Sequence, residues 1–102
     1  MDIEDIKEKI NSNDYEISLH ALQKSFERNI WKDDIEHAVV NGEIIEDYKD
    51  DKPYPSCLIH GKTRGMKHVH IICTYPPIVR IITVYFPDEN KWIDYKIRRK
   101  LL

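Results

Sequence analysis

Two histidines and two hydroxyl side chains lie in the predicted strands of the second half of the chain. His68 and His70 are separated by one residue, so they share one face of a strand, and Thr83 and Tyr85 do the same on the next strand. Cleavage of RNA by its own 2′-hydroxyl needs a proton acceptor, cations that stabilise the phosphorane and an acid for the leaving oxygen. Because histidine is the usual acid or base near pH 7, the pattern suits a ribonuclease of this kind. A hydrogen-bonded surface pair of histidines is the alternative.

A second polar set lies on a predicted helix that begins after Ser18. Its members are spaced four residues apart and form one stripe: His20, Lys24 and Arg28. The neighbouring apolar stripe, which we expect to face the core, consists of Leu19, Leu22 and Phe26. The polar stripe can address neighbouring parts of a polymer substrate, or it is simply a solvated helix face.

The charges are divided unevenly along the chain. Residues 1–51 contain 15 Asp and Glu against 6 Lys and Arg, whereas residues 52–102 contain 3 against 10. Basic side chains that could bind phosphates lie in and near the predicted strands, at Lys62, Arg64, Lys67 and Arg80. A basic tail, Lys96 to Lys100, either follows phosphates or is a solvated end.

The periodicity predicts three helices and then four strands. The helices are expected over Ile3 to about Asn11, Leu19 to about Asn29, and from Asp33 to the stop at Gly42. The strands are expected over Glu43–Tyr48, Tyr54–His60, Lys67–Cys73 and Ile78–Tyr85. We therefore expect an α+β fold with the helices on one face of a four-stranded antiparallel sheet over residues 43–86. Val69, Ile71 and Cys73 should face the helices, and His68 and His70 should lie on the opposite, open face.

Composition favours one cytoplasmic domain over residues 1–102. The chain has only 3 Gly and 5 Pro, no apolar run long enough for a membrane span, and an acidic N-terminus unlike a signal peptide. Cys57 and Cys73 lie in apolar runs and are expected to be core residues, and neither a metal nor another cofactor is predicted. His60 is expected at the solvated surface, and Trp92 is expected to close the edge of the core.

Several short segments form an ordered set along the chain. They are Ser18-Leu19-His20-Ala21-Leu22, Asn41-Gly42-Glu43-Ile44-Ile45, Tyr54-Pro55-Ser56-Cys57-Leu58-Ile59, Val69-His70-Ile71-Ile72-Cys73 and Ile81-Ile82-Thr83-Val84-Tyr85. This set, over about residues 17–92, resembles the small prokaryotic family called domain of unknown function 4258. That family is similar to the RelE and BrnT toxins and, more remotely, to the barnase, EndoU and colicin ribonucleases.

The resemblance implies a RelE-like, metal-independent endoribonuclease that is the toxin of a type II toxin–antitoxin pair. Its partners would be RNA, free or on the ribosome, and a cognate antitoxin, with no membrane. The implied catalytic residues are His20, Arg28, His70, Thr83 and Tyr85. The residues expected to bind RNA are Lys24, Lys62, Arg64, Lys67, His68 and Arg80.

We expect the two catalytic histidines to transfer protons, Arg28 to neutralise the phosphate, and the two hydroxyl side chains to orient it. Two other functions remain open. One is a non-catalytic RNA- or protein-binding module of the same fold. The other is an inhibitor whose acidic half mimics nucleic acid.

Overall fold

Three helices precede most of the sheet, as predicted. The computed structural model describes residues 1–100; Leu101 and Leu102, the last residues of the predicted single domain, lie outside the described residues. The helices are α1 (Ile3–Asn11), α2 (Leu19–Arg28) and α3 (Lys32–Val40). Ser18 caps α2 by accepting a hydrogen bond from the Ala21 N–H, and Asn29 ends it in the left-handed conformation. No helix within residues 1–100 is long and apolar enough to cross a membrane.

The sheet has five strands and is mixed. The strands are β1 (Glu16–Ile17), β2 (Glu43–Tyr48), β3 (Ser56–Lys62), β4 (His68–Thr74) and β5 (Arg80–Tyr85), in the order β1-β5-β4-β3-β2. β2 to β5 form the expected antiparallel meander, whereas β1 runs parallel to β5. The expectation of a four-stranded antiparallel sheet is corrected by β1, which has too few residues to show a strand period.

The face of the sheet that carries Val69, Ile71 and Cys73 packs against the helices, as predicted. All three side chains are fully buried and belong to one core cluster with Ile6 of α1 and Ile35 of α3. Because side chains alternate along a strand, this register places the histidines of β4 on the opposite face.

That opposite face is not open, contrary to the expectation. A second, two-stranded sheet forms from β6 (Trp92–Ile93) and β7 (Ile97–Arg98), and only β7 lies within the expected basic tail, Lys96 to Lys100. The Trp92 ring meets the His70 ring edge-on, with 4.5 Å between the ring centroids. Trp92 is buried, as predicted, and the hairpin buries His70 as well.

α2 packs through its small side chains, so the expected core stripe of this helix is wrong. Its buried residues are Ala21 and Ser25, whereas Leu19, Leu22 and Phe26 are 79, 42 and 72% exposed. Small residues allow α2 to approach β5 closely, and the apolar stripe is left outside this contact.

α2 also supplies hydrogen-bond donors to the backbone of β5. The Ser18 hydroxyl donates to the Ile82 carbonyl at 3.0 Å, and the Arg28 Nη1 donates to the Val84 carbonyl at 2.9 Å. β1 pairs only with the first residues of β5. The helix therefore satisfies β5 carbonyl groups that the two-residue strand β1 does not reach. Unsatisfied carbonyl groups at a sheet edge can pair with a strand of another molecule.

α3 lies very close to β3 because Gly61 has no side chain. A Cβ atom at Gly61, or at Gly42, would overlap the carbonyl oxygen of Ala38 in α3. The spacing between this helix and the sheet, and hence the packing of the core between them, depends on these two glycines.

Substitution of Gly61→Ala is expected to destabilise the protein by about 2–4 kcal/mol, because the new methyl group must push the α3 backbone away from β3. Gly65→Ala is the matched control, since a Cβ there would lie 3.8 Å from its nearest neighbour, the Thr63 Oγ1. The control should change stability by no more than about 0.5 kcal/mol. Urea unfolding measures both values, and equal midpoints for the two variants would contradict the packing described here.

Candidate functional site

The five residues expected to be catalytic lie around the C-terminal half of β5, and we call this set the β5 site. It consists of His20, Arg28, His70, Thr83 and Tyr85. The His20 Nε2 is 3.2 Å from the Thr83 Oγ1, and the His70 Nδ1 is 3.2 Å from the Tyr85 hydroxyl. Since Thr83 and Tyr85 share one face of β5, the two pairs are neighbours.

His70 is fully buried, and its two ring nitrogens have different partners. The Nε2 lies 2.6 Å from the carbonyl oxygen of Tyr95, and a carbonyl only accepts, so the Nε2 carries a hydrogen and donates. Burial lowers the pKa of His70, so the ring is neutral near pH 7. The Nδ1 therefore has no hydrogen and accepts one from the Tyr85 hydroxyl.

The Tyr85 phenol links this buried histidine to the surface. Burial raises the pKa of Tyr85, so the phenol keeps its proton near pH 7. The side chain is only partly buried, and its oxygen retains a lone pair for an additional donor. Tyr85 and His70 can thus take up a proton from a bound group, by way of the phenol oxygen, and hold it on the buried imidazole.

His20 and Arg28 reach the site from α2. His20 is exposed, and Arg28 is half-buried. Arg28 uses one N–H group for the Val84 carbonyl, and a guanidinium has five such donors. The remaining N–H groups of Arg28 can donate to an anion bound beside β5.

A second pair of histidines lies next to His70, beneath the hairpin. The His60 Nε2 is 2.8 Å from the His68 Nδ1, and the His68 ring stacks on the Tyr95 ring with 3.5 Å between centroids. The prediction of a solvated His60 is wrong, because the residue is only 7% exposed at the covered end of β3. Burial, followed by the nearby His68 and His70, lowers the pKa of His60 to about 4.

The cations expected to bind RNA differ in what they contact. The Arg64 Nε lies 2.9 Å from the Asp34 carboxylate, and the Lys24 Nζ lies 3.2 Å from the Glu27 carboxylate. The hydrogen bond from Arg64 lowers the pKa of Asp34. Within residues 1–100, the side chains that make no ion pair include Lys62, Lys67 and Arg80. Those three remain the better candidates for phosphate contacts.

Two cations of the expected basic tail bind carboxylates of β2 instead of solvent. The Lys96 Nζ is 2.7 Å from Glu43, and the Arg98 Nη2 is 3.0 Å from Glu46. The bond from Lys96 lowers the pKa of Glu43. These pairs attach the hairpin to the sheet edge, where the acidic and basic halves of the chain meet.

The cysteines are core residues, as predicted. Cys57 and Cys73 are free thiols, are fully buried and face each other across β3 and β4. Among residues 1–100, no group of three or more His, Cys, Asp or Glu side chains is arranged to hold a metal ion.

The family model for the domain of unknown function DUF4258 matches residues 17–86, which is more than half of the chain. The chain belongs to the DUF4258 family. Every residue of the β5 site lies within the DUF4258 match, whereas the hairpin residues Trp92 and Tyr95 lie beyond it. No curated protein and no solved structure matches the chain significantly. Likeness of this DUF4258 protein to the RelE and BrnT toxins therefore stays a prediction.

Lowering the pH from 7 to 5 is expected to destabilise the protein by about 2 kcal/mol through His60. Its pKa is about 4 in the folded protein, against about 6.5 in an unfolded chain. The unfolded state therefore binds the proton first, and stability present above pH 6.5 is lost as the pH falls towards 4. His68 and His70, whose pKa values are also lowered by burial, act in the same direction. Urea midpoints at pH 7, 6 and 5 measure the loss.

The variant His60→Gln should show a flatter dependence of the urea midpoint on pH, because it removes the largest of these contributions. Carboxylates with lowered pKa values, such as Asp34 and Glu43, change the stability mainly below about pH 5. Between pH 7 and pH 5, the change in stability therefore comes from the histidines. A wild-type midpoint that is the same at pH 7 and pH 5 would contradict the burial of the histidine cluster.

Proposed function

We propose that this DUF4258 protein is a metal-independent endoribonuclease that cleaves RNA by attack of the RNA 2′-hydroxyl. The observation that carries the proposal is the bond between buried His70 and the Tyr85 phenol, in the same site as the exposed His20. One end of the site can accept a proton and the other can donate one. The reaction needs this division between a base and an acid.

The base in this mechanism is Tyr85 together with His70. The 2′-hydroxyl gives its proton to the Tyr85 oxygen while the phenol proton moves to the His70 Nδ1. The 2′ oxygen then attacks phosphorus. The Tyr95 carbonyl and, to a smaller extent, the Glu46 carboxylate raise the pKa of His70 against the effect of burial, so they stabilise the transient imidazolium. His70 thus acts through Tyr85 and does not touch the substrate.

The acid is His20, on the solvent side of β5. As the bond from phosphorus to the 5′ oxygen breaks, His20 donates a proton to that oxygen, and the Thr83 hydroxyl orients the imidazole ring. The products are a 2′,3′-cyclic phosphate and a 5′-hydroxyl. Arg28, through its remaining donors, stabilises the charge that builds up on the phosphorane.

The variants His20→Ala and Tyr85→Phe are each expected to slow RNA cleavage by about 100- to 10,000-fold, the usual cost of losing a general acid or base. Tyr85→Phe keeps the aromatic ring and removes only the hydroxyl. Tyr15→Phe is its matched control, because that hydroxyl donates to Glu36, outside the β5 site. Initial rates on single-stranded RNA, with purified protein, measure the effect.

The same variants should also separate activity from folding in cells. Induced expression of the wild type should arrest growth, and His20→Ala or Tyr85→Phe should relieve the arrest at matched soluble levels. If both variants cleave RNA as fast as Tyr15→Phe does, the β5 site is not catalytic.

We further propose that the protein acts in the cytoplasm as the toxin of a type II toxin–antitoxin pair, with RNA as substrate and a cognate antitoxin as protein partner. The exposed stripe of α2 supports a protein partner. Leu19, Leu22 and Phe26 follow the spacing of a helix–helix seam, yet they lie outside the core.

The same stripe favours a second candidate function, a non-catalytic protein-binding module. Phe26→Glu should then abolish capture of a partner from the native host, because a charge would be buried in the contact. Asn11→Glu, an exposed change on α1, is the control. Partner capture by the wild type and Asn11→Glu, together with undetectable RNA cleavage by the wild type, would favour the module. Equal capture by Phe26→Glu would remove the stripe from this function.

A further inference from the structure

A cleft lies along the N-terminal part of β5, at the end of the sheet at which the β2–β3 and β4–β5 turns meet. Its volume is about 700 Å³, within the range of small-molecule sites. A hydrogen bond from the Tyr75 N–H to the Pro55 carbonyl, 3.1 Å long, joins the two turns. Ser18 and Ile82 line the cleft, and Thr83 of the β5 site directly follows Ile82. An RNA chain that contacts Thr83 in the β5 site would therefore reach the cleft at the neighbouring residue, Ile82.

The walls of the cleft are mostly apolar and stiff, although two carboxylates, Glu16 and Asp51, and the cation Lys52 line it as well. Four of the five prolines of the chain line it, and Tyr54 stands between two of them. The side chains of Tyr54 and Ile78 are 66 and 69% exposed, so both offer apolar surface to a ligand. Prolines restrict the backbone of both turns, so the surface is organised before a ligand arrives. An exposed tyrosine ring on such a wall suits a flat, aromatic ligand.

Arg80 adds a positive charge at the same cleft. Its guanidinium makes no ion pair within residues 1–100, and its backbone N–H donates to the Thr74 Oγ1 at 2.9 Å. A cation next to a stacking surface fits the two parts of a nucleotide, the phosphate and the base.

We propose that this cleft binds a nucleobase of single-stranded RNA, that of a nucleotide flanking the cleaved phosphate. Tyr54 stacks on the base, and Arg80 contacts the adjoining phosphate. The inference rests on the proposed function and adds the substrate class to it. A base seated in the cleft is not paired, so the substrate is RNA that is unpaired next to the cleaved bond.

Binding of a short RNA with 2′-O-methyl riboses tests the cleft without cleavage, because the methyl group blocks attack by the 2′ oxygen. Fluorescence anisotropy at low salt should show that Tyr54→Ala weakens binding by about 5- to 100-fold, the usual effect of losing one base stack. Tyr54→Phe should bind within about twofold of the wild type. Trp31→Ala, which removes an exposed aromatic ring outside the cleft, is the matched control.

An RNA that lacks the base at one position completes a double-mutant cycle. Where the missing base is the one in the cleft, Tyr54→Ala should cause no additional loss, because the two changes remove the same contact. If Tyr54→Ala binds the intact RNA as tightly as the wild type, or if the two losses add at every position, the inference is wrong.

The outcomes distinguish the cleft from the proposed reaction. Cleavage of unmodified RNA, together with binding that does not depend on Tyr54, would support the ribonuclease proposal and contradict the base site. Binding that depends on Tyr54 and on the base, without any cleavage, would retain the base site and remove the ribonuclease. If the single-stranded RNA does not bind at low salt, both are wrong.

Discussion

The hydrogen bond from the His70 Nε2 to the Tyr95 carbonyl connects the parts of the structure on which the proposed chemistry depends. It attaches the β6–β7 hairpin to the central strand of the sheet, and the hairpin in turn excludes water from His70. It also assigns the hydrogen of the neutral ring to the Nε2, so that the Nδ1 is left to accept from Tyr85. On an open sheet face, the same histidine would titrate and rotate freely, and Tyr85 would have no fixed acceptor. A contact made by the end of the chain thus determines the proton position in the site.

Part of the uneven charge of the chain is neutralised by ion pairs between its two halves. Carboxylates of the acidic half, among them Glu43, Glu46 and Asp34, bind cations of the basic half through Lys96, Arg98 and Arg64. These pairs attach the hairpin and the β3–β4 turn to their neighbours, so they contribute to structure more than to a long-range field. The attraction of RNA then rests on fewer cations than the composition indicates. Arg80 belongs to β5, and Arg28 donates to the Val84 carbonyl of the same strand, so both lie beside the residues with which the substrate would align.

Local periodicity was sufficient for the helices, for β2 to β5 and for the register that places Ile71 in the core. It failed where a contact with a segment that is distant in sequence determines which side chains are buried. The apolar stripe of α2 predicts a buried helix face, but the small residues Ala21 and Ser25 make the contact with β5. The apolar stripe is therefore exposed. The two-residue strands β1 and β6 carry no period, and the burial of His70 depends on Trp92, which is far away in sequence. The grouping of the β5 site was expected from the family resemblance, whereas its covering by the hairpin had no local signal.

The most direct test of the central claim is an analysis of the RNA ends that purified protein produces in the presence of a chelator. Transfer of the 2′-hydroxyl proton to Tyr85 and His70, and protonation of the leaving oxygen by His20, predict a 2′,3′-cyclic phosphate on one fragment and a 5′-hydroxyl on the other. Mass spectrometry of a short cleaved oligonucleotide identifies both ends. Cleavage that stops when divalent ions are removed, or fragments that carry a 5′-phosphate, would contradict the mechanism.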